Sequence, residues 1–216
     1  MNLIFQKKDK KYPGLVNLNL NPFFLLIKPT EKTYTNTKYR KLIEKQIEQL
    51  IETGFINFEI SWSDNKNWID YVSKLKLKFP NINLGSASVI NKKSIDDSIK
   101  IGLNYSMMKG WDQDLINYSN SKKYLLIPGI KYKKDLKQAI DMNCKIIKIY
   151  PVKDAIKLIN ISQYKNIDFI AAGGLSISDI SAYKSLGYKS IVIGDKGFKN
   201  NEIDPKIYAW LKATSN

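Results

Sequence analysis

Lys145-Ile-Ile-Lys-Ile-Tyr-Pro151 is an almost wholly apolar stretch with one lysine near its end and a proline closing it. The two-residue alternation of a strand puts Ile146, Lys148 and Tyr150 on one face and Ile147 and Ile149 on the other. If the strand is buried, Lys148 is buried with it; otherwise the lysine snorkels from the strand end to water. Burial disfavours an ammonium, so its pKa falls from about 10.4 towards neutrality, and a neutral amine can attack a carbonyl to form a Schiff base.

Working outward, the same apolar character recurs at Phe23 to Lys28, where a continuous run closed by Lys28-Pro29 implies burial on both faces. A helix is expected from Thr37 to Glu52, with Leu42, Ile43, Ile47, Leu50 and Ile51 at helical spacing and Gly54 as its stop. The unit then repeats. Strands are expected at Phe55 to Ser61, Ile82 to Ser86, Leu103 to Met108, Tyr124 to Pro128, Ile146 to Tyr150, Asp168 to Ala171 and Ser190 to Ile193. The intervening helices are Asn67 to Phe79, Lys92 to Ile101, Asp112 to Ser119, Lys133 to Met142, Lys153 to Ile161 and Ser176 to Leu186, with a last one from Pro205 to Lys212. Eight strands alternating with eight helices predict an α/β fold of parallel βα units, a closed (β/α)8 TIM barrel rather than an open sheet. A Gly-x-Gly-x-x-Gly after the first strand, which would favour the open alternative, is absent from the sequence. Residues 1–20, lysine-rich with a Pro13-Gly14 turn, are expected to be a tail or capping segment, and 21–216 the barrel.

The 216 residues include no histidine, which excludes Ser/His/Asp and Cys/His nucleophile systems and histidine metal sites. The single cysteine, Cys144, excludes an internal disulfide and a thiolate metal cluster. Chemistry must come from lysine, carboxylate, tyrosine, backbone dipoles or an oxygen-ligated metal. Met1-Asn-Leu-Ile-Phe5 is too short for a signal-peptide core, and no apolar run approaches the ~20 residues of a membrane span, so a soluble cytoplasmic protein is expected. The net charge of +15 raises a nucleic-acid partner. Against it, the only arginine is Arg40, and the lysines are scattered along nearly every segment instead of gathered in a stripe, so no specific nucleic-acid binding is expected.

In a barrel of this kind function collects after the C-terminal ends of the strands. Lys148 lies at that end of strand six. In Phe55-Ile-Asn-Phe-Glu-Ile-Ser61 the apolar Ile56, Phe58 and Ile60 share a face that packs on helices, which turns Glu59 into the barrel. The carboxylate and the amine form either a structural ion pair or an acid–base pair for imine chemistry. Two glycine loops, Ala171-Ala-Gly-Gly-Leu-Ser176 and Ile193-Gly-Asp-Lys-Gly-Phe198, follow strands seven and eight, where such barrels often cradle a phosphate; tight turns that bind nothing are the alternative.

Phe-Glu-Ile-Ser (58–61), Leu-Gly-Ser-Ala-Ser-Val (84–89), Leu-Ile-Pro-Gly-Ile (126–130), Ile-Lys-Ile-Tyr-Pro (147–151), Ala-Gly-Gly-Leu-Ser (172–176) and Ile-Gly (193–194) occur in an order and spacing that resemble the class I 2-keto-3-deoxy-6-phosphogluconate / 4-hydroxy-2-oxoglutarate aldolases over residues 22 to 200. The resemblance implies a commonly trimeric (β/α)8 barrel in Entner–Doudoroff-type carbohydrate metabolism. Such enzymes cleave a 2-keto-3-deoxy sugar acid phosphate to pyruvate and an aldehyde without metal or cofactor. It implies Lys148 as the Schiff-base residue, Glu59 as the proton shuttle, and Tyr150, Ser88, Pro128 and Lys28 as substrate contacts. Gly173, Gly174, Gly194 and Lys196 would hold the phosphate. The departures are Ser63 where the family usually has an arginine for the substrate carboxylate, Ala172 for a threonine, and Asp195-Lys196 for Gly-Ser. They leave the imine machinery in place and alter the grip on the substrate. The alternative they open is a barrel with altered or lost catalysis that binds a phosphorylated metabolite.

Overall fold

The structure, a computed structural model, describes residues 18–20, 22–157, 159–200 and 202–214. The chain runs β1 (Phe24–Ile27), α1 (Glu31–Thr35), α2 (Thr37–Ile51), β2 (Asn57–Ser61), α3 (Trp68–Lys78), β3 (Asn83–Val89), α4 (Lys92–Ile101), β4 (Tyr105–Met108) and α5 (Gln113–Ser121). It continues through β5 (Leu126–Ile127), β6 (Gly129–Ile130), α6 (Lys133–Asp141), β7 (Ile146–Ile149), α7 (Val152–Ala155), β8 (Asp168–Leu175), α8 (Ile180–Ser185) and β9 (Ser190–Ile193). A small antiparallel hairpin, β10 (Phe198–Lys199) and β11 (Glu202–Ile203), precedes α9 (Pro205–Thr214).

The nine strands β1 to β9 form one parallel sheet in the order β5-β4-β3-β2-β1-β9-β8-β7-β6. Its two ends, β5 and β6, are halves of one strand interrupted at Pro128, so the sheet closes on itself as a (β/α)8 barrel. Proline has no N–H for the ladder, which explains the break, while the Pro128 carbonyl still accepts the Lys148 N–H at 2.9 Å. Outside the barrel a continuous core joins the outward strand faces to the helices, with Leu25, Phe58, Ile60, Leu84, Ile147, Ile149 and Ile193 against residues such as Ile47, Leu50, Val72 and Leu75. Each such side chain, once buried, contributes about 1.5–3 kcal/mol of transfer free energy. A second cluster fills the barrel interior: Phe24, Tyr105, Met107, Ile127, Ile146, Ile170, Ala172 and Val192, with Leu18 and Leu20 packed against it. Residues 1–17, which carry most of the expected tail, lie outside the described residues.

Several expected boundaries shift for identifiable reasons. The expected helix from Lys153 to Ile161 is cut to α7, followed by a 3-10 turn at Ile161–Gln163 in which Asn160 accepts the Ser162 N–H. An asparagine offers the backbone such a local alternative to helix. The strand expected to stop at Ala171 runs on to Leu175, and the helix expected from Ser176 begins as a 3-10 turn at Ile177–Asp179. Helix α1 was not expected; the Thr30 N–H donates to Thr33 Oγ1 at 2.9 Å to open it.

Candidate active site

Glu59 and Lys148 lie on β2 and β7, the second and sixth strands of the closed barrel, and therefore face each other across its interior. Both are buried, at 1% and 6% exposure. Burial pushes the Glu59 carboxyl up from the usual carboxylate range, and the charge of Lys148 pulls it partway back. Burial pulls the Lys148 amine down, and the charge of Glu59 opposes the fall. Each group therefore favours its neutral form more than it would in water. The Oε1 of Glu59 is buried without a hydrogen-bond partner among the described residues. A buried carboxyl oxygen with no partner is costly unless a water or ligand satisfies it.

Tyr150 continues the face of Lys148, whose Nζ lies 5.5 Å from the Tyr150 ring centroid. The Tyr150–Pro151 peptide is cis. Ser88, the other contact expected near the mouth, sits at φ +61 in an irregular stretch of β3 between Ser86 and Val89, and its Oγ accepts the Ser61 hydroxyl at 3.0 Å. A non-glycine residue in the left-handed region beside a bulge is a pattern met at binding sites. Pro128 forms the break in the barrel wall next to Lys148.

The glycines divide into different roles. Gly173 (φ +114) makes room for the chain after β7: a Cβ there would meet Pro151 Cα at 3.1 Å. Gly174 (φ +66) also needs its glycine backbone, but its Cβ direction is open space. Both lie in the register shift between β8 and β9, where Leu175 pairs with Ile193, the residue before Gly194. Lys28, at the end of β1, has its Cε 4.0 Å from where a Gly194 Cβ would stand and bonds Asp195 Oδ2 at 2.7 Å. The partner of Asp195 is thus Lys28, 167 positions away, and not the adjacent Lys196. Lys196 instead acts on Asp179, together with Lys153.

Two features were missed. Tyr105 lays its ring over Gly85, where a Cβ would come within 2.4 Å of the ring, and donates its hydroxyl to the Phe58 carbonyl at 3.3 Å. Glu59, Gly85 and Tyr105 are in register across three strands, so this ring helps to dry the carboxyl. A glycine inside a strand is the available signal for so close an approach. Arg40, the only arginine, donates to the Thr33 and Tyr34 carbonyls at 3.4 and 3.1 Å and stands over the Tyr71 ring, so its guanidinium is held by structural partners. Ser63, in the place of the expected arginine, accepts the Asn65 N–H at 3.2 Å.

A buried lysine opposite a buried carboxyl in a closed parallel barrel can support imine chemistry, because burial makes the neutral, nucleophilic amine more accessible. The family described as KDPG and KHG aldolase matches residues 35–209, and the chain belongs to that family. The 2-dehydro-3-deoxy-phosphogluconate aldolase of Pseudoalteromonas atlantica is 27% identical over 123 residues, covering 55% of this chain and 57% of that protein. The enzyme of the same name from Zymomonas mobilis is 26% identical over 124 residues, covering 55% and 58%. The chain thus spans little more than half the length of the curated relatives it matches. Among solved structures, the KDPG aldolase of Legionella pneumophila, with pyruvate captured as a covalent carbinolamine, is 17% identical with a TM-score of 0.73 over 92% of this chain and 94% of that one. The 2-keto-3-deoxy-6-phosphogluconate aldolase of Zymomonas mobilis is 18% identical with a TM-score of 0.74 over 92% and 94%. At these identities the likeness is one of fold.

Proposed function

We propose that the protein is a class I aldehyde-lyase that cleaves a 2-keto-3-deoxy sugar acid, phosphorylated or not, to pyruvate and an aldehyde. The observation that carries this reading is the buried Lys148–Glu59 pair, with the Glu59 Oε1 left without a partner. Neutral Lys148 attacks the C2 ketone, and loss of water gives a protonated imine that draws electrons from C3. The C4 hydroxyl gives its proton to Glu59, directly or through a water; the C3–C4 bond breaks and the aldehyde leaves. The enamine takes the proton back at C3, and water releases pyruvate and free Lys148. No metal or cofactor is needed, because the iminium is the electron sink.

In this reading Tyr150 walls the pyruvyl group, Ser88 and Pro128 line the mouth, and Lys28, Gly173, Gly174, Gly194 and Lys196 border the end where the aldehyde half lies. A phosphate there would take backbone N–H groups from the glycines and charge from Lys196. The expected division into a tail and a single barrel domain from residue 21 onward belongs to this reading. The resemblance supports a homotrimer and an Entner–Doudoroff-type role in the cytoplasm; among the described residues no helix is long and apolar enough to cross a membrane. Nucleic acid has no part in this reading.

Incubation with 2-keto-3-deoxygluconate and with its 6-phosphate, with pyruvate followed by a coupled dehydrogenase, tests the activity. Sustained pyruvate release from at least one is expected. Binding of either compound with no pyruvate would instead mark a barrel that has kept its ligand and lost its chemistry.

A further inference from the structure

Three lysines and two carboxylates lie near the glycine bulge at the C-terminal end of β8. Lys28 Nζ lies 2.7 Å from Asp195 Oδ2, and Asp195 directly follows Gly194, one residue past the Ile193 that pairs with Leu175 next to Gly173 and Gly174. On the other side Asp179 accepts both the N–H and the hydroxyl of Ser176, at 2.7 and 2.8 Å. Although burial raises the Asp179 carboxyl, those two bonds and then the charges of Lys153 and Lys196 hold it below the usual range. Lys28 is therefore already paired with a carboxylate, and Lys153 and Lys196 lie within electrostatic reach of another. A phosphate carrying ≈ −1.5 to −2 charge would have to sit against these carboxylates and compete with Asp195 for Lys28. Like charges set side by side in a binding site are a strong discriminant. A sugar hydroxyl meets the opposite situation, since a carboxylate accepts hydrogen bonds and Asp195 has oxygen lone pairs to spare.

We propose that the Lys28–Asp195 pair makes the far end of the site selective for an unphosphorylated, hydroxyl-bearing aldehyde half, so that the substrate class is a 2-keto-3-deoxy sugar acid without a terminal phosphate. The proposal rests on the aldolase reading for its substrate and on the ion pair for its selectivity. Asp195 acts as the specificity-determining residue, excluding the dianion by charge and receiving the terminal hydroxyl. Lys28 orients it.

The test runs the reaction towards condensation, with pyruvate and either glyceraldehyde or glyceraldehyde 3-phosphate. The wild type is expected to use glyceraldehyde at least as well by kcat/KM, and Asp195→Ser to shift the ratio by about tenfold or more towards the phosphorylated aldehyde, equivalent to ~1.4 kcal/mol. A wild-type preference of about tenfold for the phosphorylated aldehyde, or a ratio that the substitution leaves unmoved, overturns the proposal. Calorimetric titration with glycerol 3-phosphate reads the same selectivity without turnover: binding should tighten about tenfold in Asp195→Ser, and equal binding counts against it. Borohydride trapping of pyruvate on the same samples separates the two ideas. If trapping fails while the glycerol 3-phosphate result holds, the aldolase reading falls and the charge selectivity stands.

Discussion

The barrel interior and the rim beyond β8 and β9 hold the same kind of chemistry, one lysine against one carboxylate, under opposite physical conditions. Glu59 and Lys148 are almost inaccessible, whereas the side chains of Lys28 and Asp195 are 50% and 79% exposed. In the interior, burial shifts both groups towards neutrality, and the charge of each partly opposes that shift in the other. At the rim, water screens the pair, and an exposed ion pair is worth only ~0–1 kcal/mol to stability. On the proposed reading, reactivity belongs to the dry pair and discrimination among ligands to the wet one. The interior retains the lysine and carboxylate of the family pattern, while the rim departs from it.

Substitutions at the interior should have the largest effect. Lys148→Met is expected to reduce pyruvate release to background, by more than about 10³-fold, because no other amine occupies the imine position. Glu59→Gln keeps the shape and removes the base. It should leave a pyruvate adduct at Lys148 while slowing hydrogen–deuterium exchange at the pyruvate methyl by at least ~10²-fold, measured by proton NMR. An unchanged exchange rate would move the proton transfer elsewhere, with Tyr150 the next residue to vary.

The same variants sharpen the comparison through pH. Adduct formation requires neutral amine, so its rate rises with pH through the amine's titration, and burial places that rise below the range of an exposed lysine. The negative charge of Glu59 holds the amine pKa up, so Glu59→Gln should move the acid limb of adduct formation to lower pH. The converse holds for Lys148→Met, in which the Glu59 carboxyl rises further. Its neutral form is then the one the fold favours, so stability present below the ordinary carboxylate range is lost as pH climbs through the raised value. Melting temperature against pH reads this; a profile parallel to wild type would mean the two groups are not coupled.

At the rim the effects shrink. Gly174→Val forces a β-branched residue to φ +66, at a cost of about 1–2 kcal/mol, and should raise the KM for the sugar acid while sparing pyruvate adduct formation. Equal losses in both assays would make the bulge purely structural. Lys28→Ala should cost less than ~1 kcal/mol in chemical denaturation; a larger loss would mean that the pair holds the loop instead of selecting the ligand.

The alternation of Phe55 to Ser61 and of Ile146 to Tyr150 was enough to turn Glu59 and Lys148 inward, because strand periodicity is local and the apolar faces left one orientation. The barrel was legible from the count of βα units. What escaped the sequence depends on neighbours far along the chain. Lys28 and Asp195 are 167 positions apart, and no local pattern joins them. The fit of the Tyr105 ring over Gly85 and of Pro151 against Gly173 is equally tertiary. Pro128 was read as a strand end, yet the ladder resumes at Gly129 because β7 offers partners on its far side. Helix length after Val152 was overestimated because an apolar periodicity alone did not register the turn that Asn160 makes.

Borohydride reduction in the presence of pyruvate, followed by peptide mass spectrometry, tests the central claim most directly. The account predicts one reduced pyruvyl group per chain, on Lys148, absent without pyruvate and absent in Lys148→Met. No adduct in the wild type, or an adduct that persists in Lys148→Met, would contradict it.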